Sequence, residues 1–116
     1  FVGGFCCTTE GRQLARQLLD GGADVILPVA GHSIGWGAGA EVHERGNAWL
    51  VGVDTDWVTT FPEFADIILT SIEKRFDVSV TLAAQSIADG TFTGGIHIGT
   101  LETGEVRLAP FHNTLK

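Results

Sequence analysis

The chain has 116 residues, 44% of them hydrophobic and 18% charged, a composition typical of one folded domain with a core and atypical of a disordered segment. A net charge of −7 without any Lys/Arg cluster excludes nucleic acid and anionic membranes as expected partners, because no group of cations is available to neutralise phosphates. No apolar run in the sequence approaches the ~20 residues that a transmembrane helix requires.

Apolar and amphipathic segments alternate along the chain in the order β-α-β-α-β-β-α-β-β. They are a strand over residues 1–6, a helix in "TTEGRQLARQLLD", a strand over 25–30, a helix over 36–45, strands in "NAWLVGVD" and "ADIILTS", a helix over 72–88, and a terminal hairpin or pair of edge strands in "GGIHIGTLETGEVRLAP". Such alternation predicts an α/β fold, with a parallel sheet between two layers of helices. The continuous apolar run at 25–30 is typical of a strand covered on both faces.

The two ends of the chain carry further expectations. The last predicted helix has five apolar residues that we expect to form its buried face: Phe76, Val80, Leu82, Ala83 and Ile87. The chain opens with "FVGGF", which is typical of the interior of a strand, so we expect any targeting signal to lie upstream of Phe1.

Small and polar residues follow the carboxyl ends of the predicted strands, where open α/β sheets bind ligands. They are Phe5 to Thr9 after the first strand, Gly31, His32 and Ser33 after the second, Asp54, Asp56 and Trp57 after the third, and Thr70, Ser71 and, one turn into the next helix, Lys74 after the fourth. We expect a ligand site at these ends, although acids and glycines there are also ordinary turn formers.

The chemistry of this set suits a ligand that has a vicinal diol and a flat ring. The Asp54 carboxylate can accept two hydrogen bonds from neighbouring hydroxyls, and the Lys74 ammonium can keep that carboxylate ionised and donate to the same hydroxyls. Trp57 is a candidate to stack on a flat base, and Gly31 lets a ligand approach the backbone because it has no Cβ. Lys74 could equally be a solvated helix residue.

Other motifs indicate different functions with less support. Gly35, Gly37 and Asp54 approximate a dinucleotide fingerprint, which would make the chain a Rossmann-like NAD-binding domain of an enzyme, but "GHSI" separates the strand from the first glycine. The adjacent Cys6 and Cys7 are expected to be small, semi-buried residues near a strand end rather than a redox or metal site. The sequence indicates neither catalysis nor a cofactor, because it has no phosphate loop, nucleophile elbow or zinc-ligand spacing.

An ordered set of motifs resembles the basic membrane protein (BMP) family, the nucleoside-binding lipoproteins of ABC uptake systems that are related to the purine nucleoside receptor. The motifs are "GF" at 4–5, "GRQLA" at 11–15, "GADVILPVAG" at 22–31, "GVDTDW" at 52–57, "LTSIEKRFD" at 69–77, and later "DGTFTGG" and "GEVRLAP". They cover nearly the whole chain and match the C-terminal half of the family. The resemblance implies that residues 1–116 form a single lobe, the C-terminal one, of a type I periplasmic-binding-protein fold, in which two α/β lobes enclose the ligand.

The resemblance also implies roles for individual residues. The implied ligand is a purine nucleoside. Phe5 would stack on its base, Gly31 would lie against the ligand, and Asp54 and Lys74 would bind the ribose hydroxyls. Trp57 stands where the family commonly has a polar residue, and it would narrow the cleft or add stacking.

The same resemblance implies the partners and the location of the protein. The partners would be a missing N-terminal lobe and an ABC permease. The location would be outside the cytoplasm, either lipid-anchored to the cell membrane or periplasmic, with the anchor outside this chain. A ligand sensor that uses the same lobe is the remaining alternative function.

Overall fold

The fold is built from strands and helices that alternate along the chain, as the computed structural model shows for residues 3–112. The elements within this range are α1 (Thr8–Asp20), β1 (Val25–Ile26), α2 (His32–Arg45), β2 (Trp49–Asp54), α3 (Trp57–Thr60), a 3₁₀ helix (Pro62–Phe64), β3 (Ile68–Lys74), α4 (Phe76–Ala88) and β4 (Val106–Leu108). No helix within this range is both long enough and apolar enough to cross a membrane.

The four strands form one sheet in the order β1-β2-β3-β4. The first three run parallel, and β4 pairs antiparallel with β3, with Lys74 opposite Val106. The two central strands run through the hydrophobic core, because Leu50 of β2 and Ile68 of β3 are completely buried. A mostly parallel sheet flanked by helices confirms the predicted α/β class.

Helices α1 and α2 approach each other closely because glycines line their contact. A Cβ on Gly11 would lie 2.2 Å from the backbone oxygen of Ile34, and a Cβ on Gly37 would lie 2.0 Å from the backbone oxygen of Thr8. Both distances are far shorter than van der Waals contact. Neither position therefore accepts a larger residue unless the helices move apart.

The first two predicted strands differ from expectation. Residues 3–7 form bends and irregular chain rather than a strand, and residues 1–2 of the predicted strand lie outside the described residues. In the second predicted strand, only Val25 and Ile26 pair with β2, and the alternate residues Leu27 and Val29 are 44% and 66% exposed. The prediction that the strand at 25–30 is covered on both faces is therefore wrong, because one face of this segment is open to solvent.

The longest predicted helix is also different. β3 continues to Lys74 and α4 begins at Phe76, whereas the sequence predicted a helix from Ile72. No residue of α4 is buried. The five residues that were expected to form its buried face are all exposed: Phe76, Val80, Leu82, Ala83 and Ile87. Their spacing is that of a buried helix, but no described element covers them.

The end of the chain contributes one strand rather than a hairpin. β4 pairs with β3, and residues 89–105 contain no strand. A turn over 101–104 ends at Gly104, as the sequence predicts, and its φ of 75° is one that glycine adopts without steric cost.

Candidate functional site

The structure brings Asp54 and Lys74 together at one edge of the sheet. Asp54 is the last residue of β2, and Lys74 is the last residue of the parallel neighbour β3 rather than part of a helix. The Lys74 Nζ lies 2.7 Å from Asp54 Oδ1, and the two side chains are 53% and 42% exposed. The pair thus lies at a rim that a ligand from solvent can reach.

The backbone at Asp54 is held in a conformation that is uncommon for a residue with a side chain. Its φ is 73°, and such left-handed residues persist where the surroundings fix them, often at ligand sites. Asp54 Oδ1 is shielded from solvent, yet no donor among residues 3–112 is angled to hydrogen-bond it, so its contact with Lys74 is ionic. Because the Asp54 side chain as a whole is 42% exposed, its other carboxylate oxygen is the one that a ligand hydroxyl could reach.

Gly31 and Phe5 lie beside each other where α2 begins. Gly31 immediately precedes the helix and has a φ of 81°, which glycine adopts without steric cost. A Cβ at this position would lie 3.6 Å from the Phe5 ring. Phe5 is 79% exposed, so its ring surface is available for stacking.

A cavity of about 110 Å³ connects Gly31 with Asp54, and it is also lined by His32, Val53, Thr55 and Trp57. Sites for drug-sized molecules typically hold about 300–1,000 Å³, so this cavity would enclose only part of a nucleoside. His32 is among the strand-end residues where the sequence predicts a ligand site, but it is given no binding role there, and Thr55 is not among them. The signal that could have found them is their position directly after Gly31 and Asp54.

Trp57 is a core residue, which corrects its expected role in stacking. It is only 3% exposed, and its indole Nε1 donates a hydrogen bond to the backbone oxygen of Val53 at 2.8 Å. Its ring occupies the space beside two glycines, because a Cβ on Gly35 or on Gly52 would lie 2.4 Å from a ring atom. Trp57 therefore supports the end of β2 from within and offers no free ring face to a ligand.

Two other polar residues of the strand ends are used within the fold. Asp56 caps α3, because its Oδ1 accepts a hydrogen bond from the Val58 N–H at 3.1 Å. Ser71 is fully buried, and its Oγ accepts a hydrogen bond from the Trp57 N–H at 3.0 Å. Asp56 is therefore used as a helix cap, whereas the Asp54 carboxylate caps no helix in the described part of the chain.

Gly35 and Gly37 do not form a turn that binds phosphate. Both lie inside α2, where Gly35 faces Trp57 and Gly37 faces the backbone of Thr8. In a dinucleotide fingerprint, the first glycines sit in the turn between strand and helix. The structure therefore contradicts the NAD-binding alternative, because this spacing reflects helix packing.

A buried charge network links α1 to α2 away from the rim. Glu41 is 3% exposed and accepts hydrogen bonds from Arg16, Arg12 and Arg45 at distances between 2.9 and 3.4 Å. The hydrogen bond from Arg16, followed by that from Arg12, lowers the pKa of Glu41 to about 2. These groups satisfy one another, so the network is a structural link.

Cys6 and Cys7 are both exposed free thiols, whereas the sequence predicted semi-buried side chains. The Cys7 thiol donates to Cys6 Sγ at 2.9 Å, and this hydrogen bond raises the pKa of Cys7 to about 11. A thiol that stays protonated at neutral pH is a poor nucleophile and a poor metal ligand. In the described part of the chain, no group of three His, Cys, Asp or Glu residues could hold a metal ion.

A larger cavity of about 340 Å³ lies under α1, beside the edge strand β1. Its lining is entirely apolar or glycine, and it includes Leu14, Leu18, Ile26 and Ile34. A hydroxyl-rich ligand would find no polar side chain there to orient it. The rim at Asp54 is therefore the better candidate site for a polar small molecule.

Comparison with known proteins identifies the family. A sequence model of the Bmp family, described as PnrA-like substrate-binding proteins of ABC transporters, matches residues 1–115. The chain belongs to the Bmp family. This result confirms the family resemblance seen in the sequence, and the family is one of substrate-binding proteins.

Individual Bmp relatives and structural neighbours are much longer than this chain. Two uncharacterized lipoproteins, from Pyrococcus abyssi and Pyrococcus horikoshii, are each 36% identical over 109 residues, which is 90% of this chain and 26% of theirs. A solute-binding protein of an ABC transporter system from Aeropyrum pernix superposes with a TM-score of 0.73 at 33% identity, over 94% of this chain and 30% of that one.

A transcriptional activator of the comK gene from Bacillus halodurans shares the fold. Its TM-score is 0.86 at 22% identity, over 100% of this chain and 39% of that one. At this identity the likeness concerns the fold alone. Compared with the two Pyrococcus lipoproteins, the Bmp chain spans about a quarter of the length of the curated relatives that it matches.

Proposed function

We propose that this Bmp chain supplies the C-terminal ligand-binding lobe of a solute-binding protein that captures a nucleoside, a purine nucleoside in the first instance, for an ABC permease. The observation that carries the proposal is the Asp54–Lys74 ion pair at the ends of two parallel strands, next to Gly31 and Phe5. The family match supports a binding role in transport.

The ribose would be recognised at the ion pair. An ionised carboxylate accepts hydrogen bonds from both hydroxyls of a vicinal diol, and charge-assisted bonds of this kind are stronger than neutral ones. The Lys74 ammonium carries three donors, so it can hold Asp54 and donate to a ribose oxygen at the same time. The base would lie across Gly31 and stack on the exposed Phe5 ring.

The cavity of about 110 Å³ would be one wall of the complete site. A second lobe would close over the ligand and supply the opposite wall, and this closure would create the surface that a permease recognises. The chain by itself is therefore expected to bind a nucleoside weakly. The lipoprotein names of its relatives favour an extracytoplasmic location with a lipid anchor outside this chain.

Calorimetric titration of the full-length protein with adenosine, guanosine and inosine tests the proposal. Ribose recognition is tested with 2′-deoxyadenosine, which lacks one of the two hydroxyls that Asp54 and Lys74 would bind. Loss of a hydrogen bond to a charged group lowers affinity by about 10- to 100-fold, so we expect a weakening of this size. A protein that binds a sugar or a peptide but no nucleoside would refute the substrate class.

Two neighbouring aspartates provide a matched pair of variants. Asp54→Asn removes the charge of the ion pair, and asparagine tolerates a positive φ, so the fold is expected to persist while the affinity for a ribonucleoside falls about 10- to 100-fold. Asp56→Asn removes a charge two residues away and keeps a good N-cap for α3, so affinity is expected to stay unchanged. Equal effects of the two substitutions would contradict ribose binding at Asp54.

A further inference from the structure

Cys6 and Cys7 form a pair of neighbouring thiols directly before helix α1. Both side chains are exposed, and Cys7 Sγ lies 2.9 Å from Cys6 Sγ. Free cysteines are ordinarily among the most buried residues of a protein. Two adjacent thiols that are exposed and in contact with each other are therefore not explained by packing.

The backbone at the pair keeps the two sulfur atoms on the same side of the chain. Cys7 has a φ of 81°, which is uncommon for a residue with a side chain. In an extended segment, successive side chains would point to opposite sides. The sulfur atoms of a disulfide are about 2.05 Å apart, so from 2.9 Å these two must approach by only about 0.9 Å to form one.

The sequence leaves the two thiols with each other as partners. The chain has two cysteines, so a disulfide within these 116 residues can only join Cys6 to Cys7. Among residues 3–112, no group of three side chains that could bind a metal ion includes either of them. Their contact is therefore available for chemistry between the two sulfur atoms.

We propose that Cys6 and Cys7 are a reversible redox site, which a low-molecular-weight disulfide oxidises to a vicinal disulfide and which a small thiol reduces again. The extracytoplasmic location proposed above is one in which disulfides form and persist. Neighbouring Cα atoms are about 3.8 Å apart across a trans peptide, closer than the roughly 4.4–6.8 Å of ordinary disulfides. The ring is therefore strained, and a strained disulfide is readily reduced.

The oxidation consists of two thiol–disulfide exchange steps. The Cys6 thiol loses its proton to water, and its thiolate attacks the small disulfide RS–SR, which forms a Cys6–S–SR bond and releases RS⁻. The Cys7 thiol then loses its proton to water and attacks Cys6 Sγ, which breaks the mixed disulfide and releases a second RS⁻. Both RS⁻ ions take up a proton, so two electrons pass from the protein to RS–SR and the products are the vicinal disulfide and two RSH.

The hydrogen bond between the thiols determines the order of attack. Cys7 donates to Cys6 Sγ, and this bond raises the pKa of Cys7 to about 11, with further contributions from desolvation and from the charges of Cys6 and Glu10. Cys7 therefore keeps its proton while Cys6 attacks first. Once Cys6 is part of a mixed disulfide, it no longer carries the charge that opposes ionisation of Cys7, and Cys7 can complete the ring.

The thiol pair lies between the exposed Phe5 ring and α1. Phe5 directly precedes Cys6, and its ring borders Gly31, whereas Thr8 begins α1 and packs against Gly37. A ring closed between these two anchors would fix the segment that presents Phe5 at the rim. This consequence rests on the proposed function, because it takes Phe5 to be the residue on which the base stacks.

Mass mapping of the full-length protein after incubation with oxidised glutathione tests the redox site. We expect the tryptic peptide that ends at Arg12 to lose two hydrogen atoms, to carry glutathione on Cys6 at early times, and to regain both hydrogens in dithiothreitol. Ring closure should be at least about 10-fold faster in the native protein than in urea, because the fold holds the sulfur atoms in contact. A stable glutathione adduct on each cysteine, a cross-link between two chains, or equal rates in the two conditions would overturn the proposal.

Two serine variants are the matched controls. Cys7→Ser should stop at a single stable glutathione adduct on Cys6, because the second attacking thiol is missing, and Cys6→Ser should likewise form no ring. Each variant keeps one thiol and a side chain of similar size, so the fold is expected to persist. Loss of two hydrogen atoms from the same peptide in either variant would contradict a disulfide between these two residues.

Nucleoside affinity of the oxidised and reduced proteins tests the effect on the rim. We expect the oxidised form to bind about 3- to 10-fold more tightly by calorimetry, because the closed ring has already ordered the segment that presents Phe5. The two serine variants should show no such difference. Equal affinities of the two forms would overturn the effect on the rim. A protein that binds no nucleoside in either form would refute the proposed function, whereas the redox site is decided by mass mapping alone.

Discussion

Helices α1 and α4 each contain 13 residues, yet they are used in opposite ways. The more polar one, "TTEGRQLARQLLD", buries Gly11, Ala15 and Leu19 against its neighbours. The more apolar one, "FDVSVTLAAQSIA", buries none of its residues. Apolar content alone therefore does not decide burial. What decides it is whether a complementary surface is present, and α1 has one in the glycine-lined face of α2.

The same contrast extends to the two parts of the molecule that contain these helices. The sheet body, by which we mean residues 3–75 together with 106–112, closes on a core in which Leu50, Ile68 and Val42 are fully buried. Residues 76–105, which we call the α4 extension, bury no apolar side chain. They join the rest of the chain at a neck, where the Arg75 N–H donates to the backbone oxygen of Glu105 at 2.7 Å. We expect substitutions in the sheet body to change the free energy of unfolding strongly, and equivalent substitutions in the extension to change it little.

The largest difference in the free energy of unfolding is expected between two leucine-to-alanine substitutions, one in each part of the molecule. Leu50→Ala leaves a cavity in the core and is expected to lower the free energy of unfolding by about 4 kcal/mol. Leu82→Ala, at a position that is 47% exposed, is expected to cost less than about 1 kcal/mol. Urea unfolding of the 116-residue chain measures both. Similar costs would show that α4 packs in solution and would remove the contrast.

A smaller difference in stability is expected between two glycine-to-alanine substitutions. Gly37→Ala forces a methyl group against the backbone of Thr8 and should destabilise the chain by about 3 kcal/mol, because α1 and α2 must separate. Gly94→Ala in the extension meets no atom within 4 Å, so it should be neutral or slightly stabilising. Thermal unfolding of both variants compares them. An unchanged Tm for Gly37→Ala would disprove the close helix contact.

The smallest effect on stability should come from removing the Glu41 carboxylate, and it should appear only as the pH is lowered. The pKa of Glu41 falls from an ordinary value of 4.5 to about 2 in the folded chain, so its contribution to stability is present above pH 4.5 and is lost as the pH falls towards 2. Glu41→Gln should therefore flatten the fall of Tm over that range. Its effect should be smaller than that of Gly37→Ala, because two of the partner arginines are only partly shielded from solvent.

Glu105, at the neck, is the control for this titration. Hydrogen bonds with Thr103, His97 and Ser79 also lower its pKa to about 2, but it stabilises the extension rather than the core of the sheet body. Glu105→Gln should leave the acid dependence of Tm unchanged and increase hydrogen exchange in α4. If Glu105→Gln flattens the acid profile as much as Glu41→Gln does, the two parts unfold as one unit.

The strand ends were accessible from the sequence because they depend on local patterns. The apolar run that finishes at Asp54 located the end of β2, whereas the run "ADIILTS" placed the end of β3 at Ser71 instead of Lys74. Parallel strands bring such ends to one edge. The meeting of Asp54 with Lys74 follows from that topology. Asp54 and Lys74 are far apart in sequence. Their proximity could still be predicted, because each residue lies next to an apolar run that can be recognised in the sequence.

The misplaced features depend on contacts that are remote in sequence. The strand β3 extends through Glu73 because that residue pairs across the sheet with Arg107, 34 residues later, whereas "SIEK" on its own favours a helix. The sequence predicts Trp57 as a ligand residue because it follows two acids. Its burial depends on the room left by Gly35 and Gly52, which only the folded chain brings together.

The position of Trp57 gives the protein a built-in optical reporter. Of the three tryptophans, Trp36 and Trp49 are 40% and 39% exposed, while Trp57 is 3% exposed and borders the cavity that also contacts Asp54. A water-soluble quencher such as iodide would suppress the emission of the first two and spare the third. The fluorescence that remains would then report on the surroundings of a single indole, so occupancy of the rim could be followed without any attached dye.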